Sequence, residues 1–146
     1  MFILVSAIGL LIGNQSYQDW NMGIKIKGPL DSIGFAVVKV SIGEFIRPAV
    51  IDTGASYNLV APLLAMQLSL NPLDQVEVHH PISGESTQSL FKMKFKLEDF
   101  NNVFEDEFIQ MPSHFSYSLI LGIPFIKRCR CFTYRGGKDE WFEIQI

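Results

Sequence analysis

An all-β domain carrying one or two short helices is the fold this sequence predicts, and three observations predict it. Glycine and proline break the chain at short intervals, and the runs between them are rich in Val, Ile, Phe and Leu. Within the strand expected over residues 88–97, residues 91–97 alternate strictly, with Lys92, Lys94 and Lys96 on one face and Phe91, Met93, Phe95 and Leu97 on the other. Twelve phenylalanines in 146 residues supply large apolar side chains enough for one domain core, not two. With 48% hydrophobic and 18% charged residues, the composition is that of a globular chain, not a disordered one. The net charge of −3 offers no broad basic field for a phosphate backbone, so nucleic acid is not expected as a partner.

The elements follow in chain order. Residues 2–13 (FILVSAIGLLIG) are continuously apolar and too short to span a bilayer comfortably. Residues 1–20 suit a signal or membrane-tether segment, which would make the protein exported or tethered instead of cytoplasmic. Against that, no Lys or Arg precedes the apolar run and no clean small-x-small cleavage site follows it. The alternative is an N-terminal strand packed in the fold or in a subunit interface. The domain proper is placed at residues 21–146. Residues 35–42 and 46–51 read as strands joined by a tight turn at Gly43-Glu44, a hairpin. Residues 62–70 have helix formers at helical spacing with Pro62 first, and Asn71-Pro72 is expected to end the helix. A second hairpin is expected from residues 75–80 and 88–97, with its tip at residues 83–86. Residues 104–110 and 118–122 read as strands, residues 124–127 as a helical turn, and residues 130–134 with 141–146 as a final hairpin. Cys129 and Cys131 would share a face if their segment is a strand; a bridge across so short a loop would be strained, and they read as packed free thiols.

The chemistry concentrates in residues 49–56 (AVIDTGAS). A carboxylate directly after three apolar residues is costly unless it is held and used. Asp-Thr-Gly continues a strand poorly but makes a good tight loop, whose glycine lets backbone amides approach the carboxylate. Elsewhere the sequence offers little. Gly84-Glu85-Ser86 lacks the closing glycine of a nucleophile elbow. His79-His80 lacks further ligands at metal spacing, and His114 reads as a loop residue. No metal or cofactor is implied.

Ile51-Asp52-Thr53-Gly54-Ala55-Ser56 followed by Leu59-Val60 resembles the active-site loop of retropepsin-like aspartic proteases. Residues 119–126 (LILGIPFI) resemble that family's second signature, an apolar-apolar-Gly strand and a short helix. The order of elements between residues 24 and 146 is similar too; Pro124 departs from the polar residue that many relatives carry there. The resemblance implies a retropepsin-like acid protease barrel. It also implies an aspartic endopeptidase in which a water is activated by two carboxylates close enough to share one proton. Asp52 alone is followed by Ser/Thr-Gly, so the second carboxylate must come from another copy in a homodimer acting on a peptide or protein substrate. The implied roles are Asp52 as catalytic carboxylate, Thr53 bonding across the dimer and Gly54 presenting its amide. Ala55 and Ser56 would line the substrate site, Ile82, Ser83, Gly84 and Glu85 would form the flap tip, and Gly122 would let the apolar strand pass beneath the loop. Ala55 carries no hydroxyl to favour a carboxylate's charged form, so a mildly acidic to near-neutral optimum is expected. The rival reading keeps the fold but makes it an inactive binding or dimerisation module.

Overall fold

The computed structural model describes residues 2–6, 22–81, 84–138 and 140–146, and among these it holds eleven strands and two short helices. Two of the strands come from the N-terminal part, β1 (Phe2–Ser6) and β2 (Lys25–Pro29). β3 (Ala36–Ile42) and β4 (Phe45–Ile51) form the expected hairpin, pairing from Ala36↔Ile51 to Ile42↔Phe45. Gly43 turns the chain with φ +57°, a conformation that a side chain would strain. Ala36, Val38, Val40 and Ile42 are buried in alternation along β3. In β4 the last three residues, Ala49, Val50 and Ile51, are all buried, because that end of the strand runs into the centre of the sheet.

After the short β5 (Asn58–Val60) comes α1 (Pro62–Gln67), with Pro62 in its first turn, where a missing N–H costs nothing. The helix stops earlier than residue 70. Ser69 takes φ +53°, its N–H donates to the Met66 carbonyl and the Leu70 N–H donates to Ala65. These two bonds close the last carbonyls in a Schellman arrangement, so the stop is made by Ser69 and not by Asn71-Pro72.

β6 (Asp74–His80) and β7 (Gly84–Leu97) form the second hairpin. Its register pairs His80 with Gly84 and His79 with Glu85, so Gly84, Glu85 and Ser86 already belong to β7. Three residues separate His80 from Gly84, and of these Ile82 and Ser83 lie outside the described residues. The lysine face of β7 is exposed and Phe91, Met93, Phe95 and Leu97 are buried, as the alternation predicts. β8 (Phe104–Gln110) pairs antiparallel with β7, and β9 (Leu119–Leu121) leads into α2 (Ile123–Ile126). The seven-stranded sheet runs β3-β4-β9-β5-β8-β7-β6, and pairing of β3 with β7 closes it into a barrel. Phe95 fills the interior, stacked on Phe104 at 5.5 Å and edge-on to Phe108 at 5.7 Å. Arg128 ties the turn after α2 to β8 through an ion pair with Asp106. Burial and the neighbouring Glu107 push the Asp106 carboxyl up, and the bond and charge of Arg128 offset only part of this.

A second, four-stranded sheet runs β1-β10-β11-β2, built on the hairpin of β10 (Cys131–Arg135) and β11 (Trp141–Gln145). Residues 2–6, the start of the apolar N-terminal run, thus pair with β10 in the register Phe2↔Arg135 to Ser6↔Cys131. The remainder of the run lies outside the described residues. No helix among the described residues is long and apolar enough to cross a membrane. The two cysteines do not share a strand face. β10 begins at Cys131, whereas Cys129 sits in the preceding turn with its thiol on the Phe125 carbonyl, and burial pushes that thiol up to about 12. Both thiols are free.

Candidate active site

β4 and β5 are consecutive in the chain but not neighbours in the sheet. β9 lies between them, parallel to β4 and antiparallel to β5. The loop of residues 52–57 must therefore cross the end of β9, and it is bonded to that strand as it crosses. The Asp52 N–H donates to Leu121 O at 3.0 Å, and the Ile123 N–H donates to Ala55 O at 2.8 Å. Gly122 lies directly under the crossing. A Cβ there would stand 2.4 Å from the Tyr57 carbonyl oxygen and 2.5 Å from that of Ala55, which no side chain tolerates.

Asn58 completes the lock. Its side chain is fully buried, its Oδ1 accepts the Gly122 N–H at 2.9 Å and its Nδ2 donates to the Glu107 carbonyl at 3.4 Å. One amide thus satisfies backbone groups of both strands flanking β5, which is what makes burying it tolerable. Sequence reading missed this residue. The available signal was a lone amide opening the apolar triplet Asn58-Leu59-Val60.

Within the loop, Asp52 Oδ1 accepts the Gly54 N–H at 2.8 Å, and a Cβ at position 54 would crowd the same oxygen at 3.2 Å. Asp52 is half-buried, while Thr53, Gly54 and Ser56 are exposed. No hydrogen bond of the exposed Thr53 side chain is made among the described residues. Two clefts meet at the carboxylate. A smaller one, about 280 Å³, is walled by Phe35, Thr53, Phe132 and Tyr134; a larger one, about 500 Å³, by Phe35, Ala55, Tyr57, Val78, Phe115 and Ile120. Asp52 is the single carboxylate among the residues lining either cleft.

Asp52, Thr53, Gly54, Ala55 and Ser56 thus share one loop, with Gly122 beneath it. Gly84 and Glu85 stand on β7 and line neither cleft; the hairpin instead reaches the larger cleft through Val78, His79 and Pro81. His79, read from sequence as a plain strand residue, is therefore a cleft residue. Phe35, Tyr57 and Phe115 were not foreseen, because aromatic residues in loops carry no local signal of what they face. Among the described residues no group of three or more His, Cys, Asp or Glu side chains could hold a metal ion.

No protein-family model matches this chain, and no curated protein matches it in sequence. Solved structures do match in shape. A retropepsin-like aspartic protease from Rickettsia conorii superposes with a TM-score of 0.62 at 14% identity, over 83% of this chain and 90% of the other. A foamy viral protease-reverse transcriptase, solved with an RNA/DNA hybrid, superposes with a TM-score of 0.50 at 19% identity over 64% of this chain. That match spans only 12% of the viral polypeptide. The chain has the retropepsin-like fold.

Proposed function

We propose that this protein is an aspartic endopeptidase that works as a homodimer, each copy contributing its Asp52. One observation carries the reading: a carboxylate held by backbone bonds in a loop over β9, at the meeting point of two clefts whose lining, among the described residues, holds no second acid. A single carboxylate cannot both take a proton from water and give one to a carbonyl oxygen. Two copies related by a two-fold axis through the exposed Thr53 face would supply the pair, and Thr53 would then bond to the opposite loop.

In the dimer one Asp52 is charged and the other carries a shared proton. The charged one removes a proton from a bound water, whose oxygen attacks the scissile carbonyl carbon. The protonated one donates to the carbonyl oxygen. The tetrahedral diol then collapses: the C–N bond breaks, the amine leaves with a proton, and a new carboxyl group remains. The Gly54 amide orients one carboxylate oxygen throughout. The substrate lies extended, its backbone adding to strand edges and its side chains entering alternate clefts, under the β6–β7 hairpin, which reaches the larger cleft through Val78, His79 and Pro81. Pro124 sits in the first turn of α2 and is not among the residues lining either cleft; it changes the start of the helix without removing a reacting group.

Digestion of a peptide library, with Asp52→Asn as control and sedimentation to read the size of the particle, tests the reading. The expected result is a dimer whose cleavage requires Asp52 and is blocked by a pepstatin-type inhibitor. Activity should peak at mildly acidic to near-neutral pH. A dimer that binds peptides without cleaving any would instead make the chain an inactive binding module.

A further inference from the structure

The loop before β3 is fastened by a carboxylate that the reaction does not use. Asp31 Oδ1 accepts three backbone N–H groups, from Ile33 at 2.9 Å, Gly34 at 2.9 Å and Phe35 at 2.8 Å. Its other oxygen accepts the Tyr117 hydroxyl at 2.6 Å, across 86 residues of chain. Burial raises the Asp31 carboxyl, but the Tyr117 hydroxyl and the three amides outweigh it and hold it below its ordinary value. A second tyrosine, Tyr134 of β10, donates to the Gly34 carbonyl at 2.7 Å.

These bonds converge on Phe35, the aromatic residue common to both clefts that meet at Asp52. Its ring packs edge-on against Phe115 at 6.0 Å and Tyr117 at 6.5 Å, and Phe115 lies 6.0 Å from Tyr117. Phe115 lines the larger cleft. The 111–118 segment that carries it has no strand of its own. Its two ends are tied by backbone bonds, the Met111 N–H donating to the Val60 carbonyl and the Ala61 N–H to the Ser118 carbonyl; between them its place against Phe35 depends on the three-ring contact and on the Tyr117–Asp31 bond.

We propose that Asp31 and Tyr117 form a latch that positions the aromatic wall of the larger cleft, and that this wall receives a bulky apolar side chain of the substrate next to the scissile bond. Both residues are positioning residues: they touch neither the water nor Asp52, and they act through Phe35 and Phe115. The second half of the inference rests on the peptidase reading above; the first half does not.

The variant Tyr117→Phe keeps the ring and removes only the hydroxyl. Hydrogen exchange reads the latch independently of activity: the amides of Ile33, Gly34 and Phe35, held by Asp31, and of Ala61, held by the Ser118 carbonyl, should exchange about tenfold faster, while those of β7 and β8 stay unchanged. In cleavage of paired peptides differing only in one residue beside the scissile bond, KM for the bulky aromatic peptide should rise about tenfold with kcat within about twofold. KM for the alanine peptide should hardly move. Asp31→Asn, which keeps an acceptor, should fall between wild type and Tyr117→Phe. Unchanged exchange at Ile33, Gly34, Phe35 and Ala61 would overturn the latch. Faster exchange with no selective loss for the aromatic peptide would overturn the assignment of the wall to substrate. A wild-type protein that neither cleaves nor binds the peptides would defeat the peptidase reading and the wall's substrate role, leaving the latch to be judged by exchange alone.

Discussion

Replacing Gly122 by alanine is the sharpest test of how the loop is built. The new Cβ would lie 2.4 and 2.5 Å from two backbone oxygens, roughly 1 Å inside ordinary contact. Neither oxygen belongs to a side chain that could rotate away. Either the 52–57 loop must lift or β9 must withdraw. Overpacking of this kind costs typically about 1–3 kcal/mol. Withdrawal would also break the Gly122 N–H bond to buried Asn58, and an unsatisfied buried pair adds about 1–3 kcal/mol. The expected loss is roughly 2–5 kcal/mol, or a melting point lower by about 5–15 °C for a chain of this size. Gly28→Ala is the matched control: its Cβ would meet the Phe142 ring at 3.4 Å, an ordinary contact. Urea unfolding followed by circular dichroism measures both. The loop should move with the strand, so peptide cleavage by Gly122→Ala should also fall at temperatures where the protein remains folded. A Gly122→Ala protein as stable as Gly28→Ala, with full activity, would refute the close crossing.

Two further outcomes follow from the same geometry. Asn58→Ala should cost about 1–3 kcal/mol in urea unfolding, because it orphans the Gly122 N–H and the Glu107 carbonyl. Asn58→Asp should be worse at neutral pH, since it buries a charge and loses the donor to Glu107. Arg128→Met should destabilise by about 1–2 kcal/mol at pH 7, a figure reduced for the half-exposed guanidinium. The sign with pH is fixed by Asp106. Its folded carboxyl is already raised, so the folded state takes up protons more readily than the unfolded chain, and its contribution to stability falls as pH rises through the folded value. Removing Arg128 raises that carboxyl further. The loss should therefore shrink as pH is lowered toward the ordinary carboxylate range, and a loss that grows on acidification would contradict the assignment.

The barrel was legible where pattern and position agree. The alternating face of β7, the Gly43 turn and the doubly buried β9 each write their burial into the order of residues. What remained hidden was decided by contacts distant in sequence. Ser69 ends α1 because the chain can close the last carbonyls there, though a serine carries no stop signal. The register of the second hairpin pairs His80 with Gly84, which puts Gly84, Glu85 and Ser86 on the returning strand and not at the tip. In the candidate site, the run of three apolar residues before Asp52 and the glycine of the 119–122 segment pointed to the loop and to the strand beneath it. Asn58, Phe35, Phe115 and the Asp31–Tyr117 bond did not announce themselves, since each depends on a partner about fifty or more residues away or on a cleft that exists only after folding. Asp31, followed by Ser-Ile and not by Ser/Thr-Gly, carries no catalytic signature, yet its loop is the one that fixes Phe35.

The homodimeric site is tested most directly by subunit mixing. Wild-type protein and Asp52→Asn would be unfolded together, refolded at defined ratios, and assayed for peptide cleavage at constant total protein. If each active centre takes one carboxylate from each copy, activity follows the square of the wild-type fraction, and an equal mixture retains about a quarter of full activity. An equal mixture retaining half, or an Asp52→Asn protein that still cleaves, would contradict the shared site.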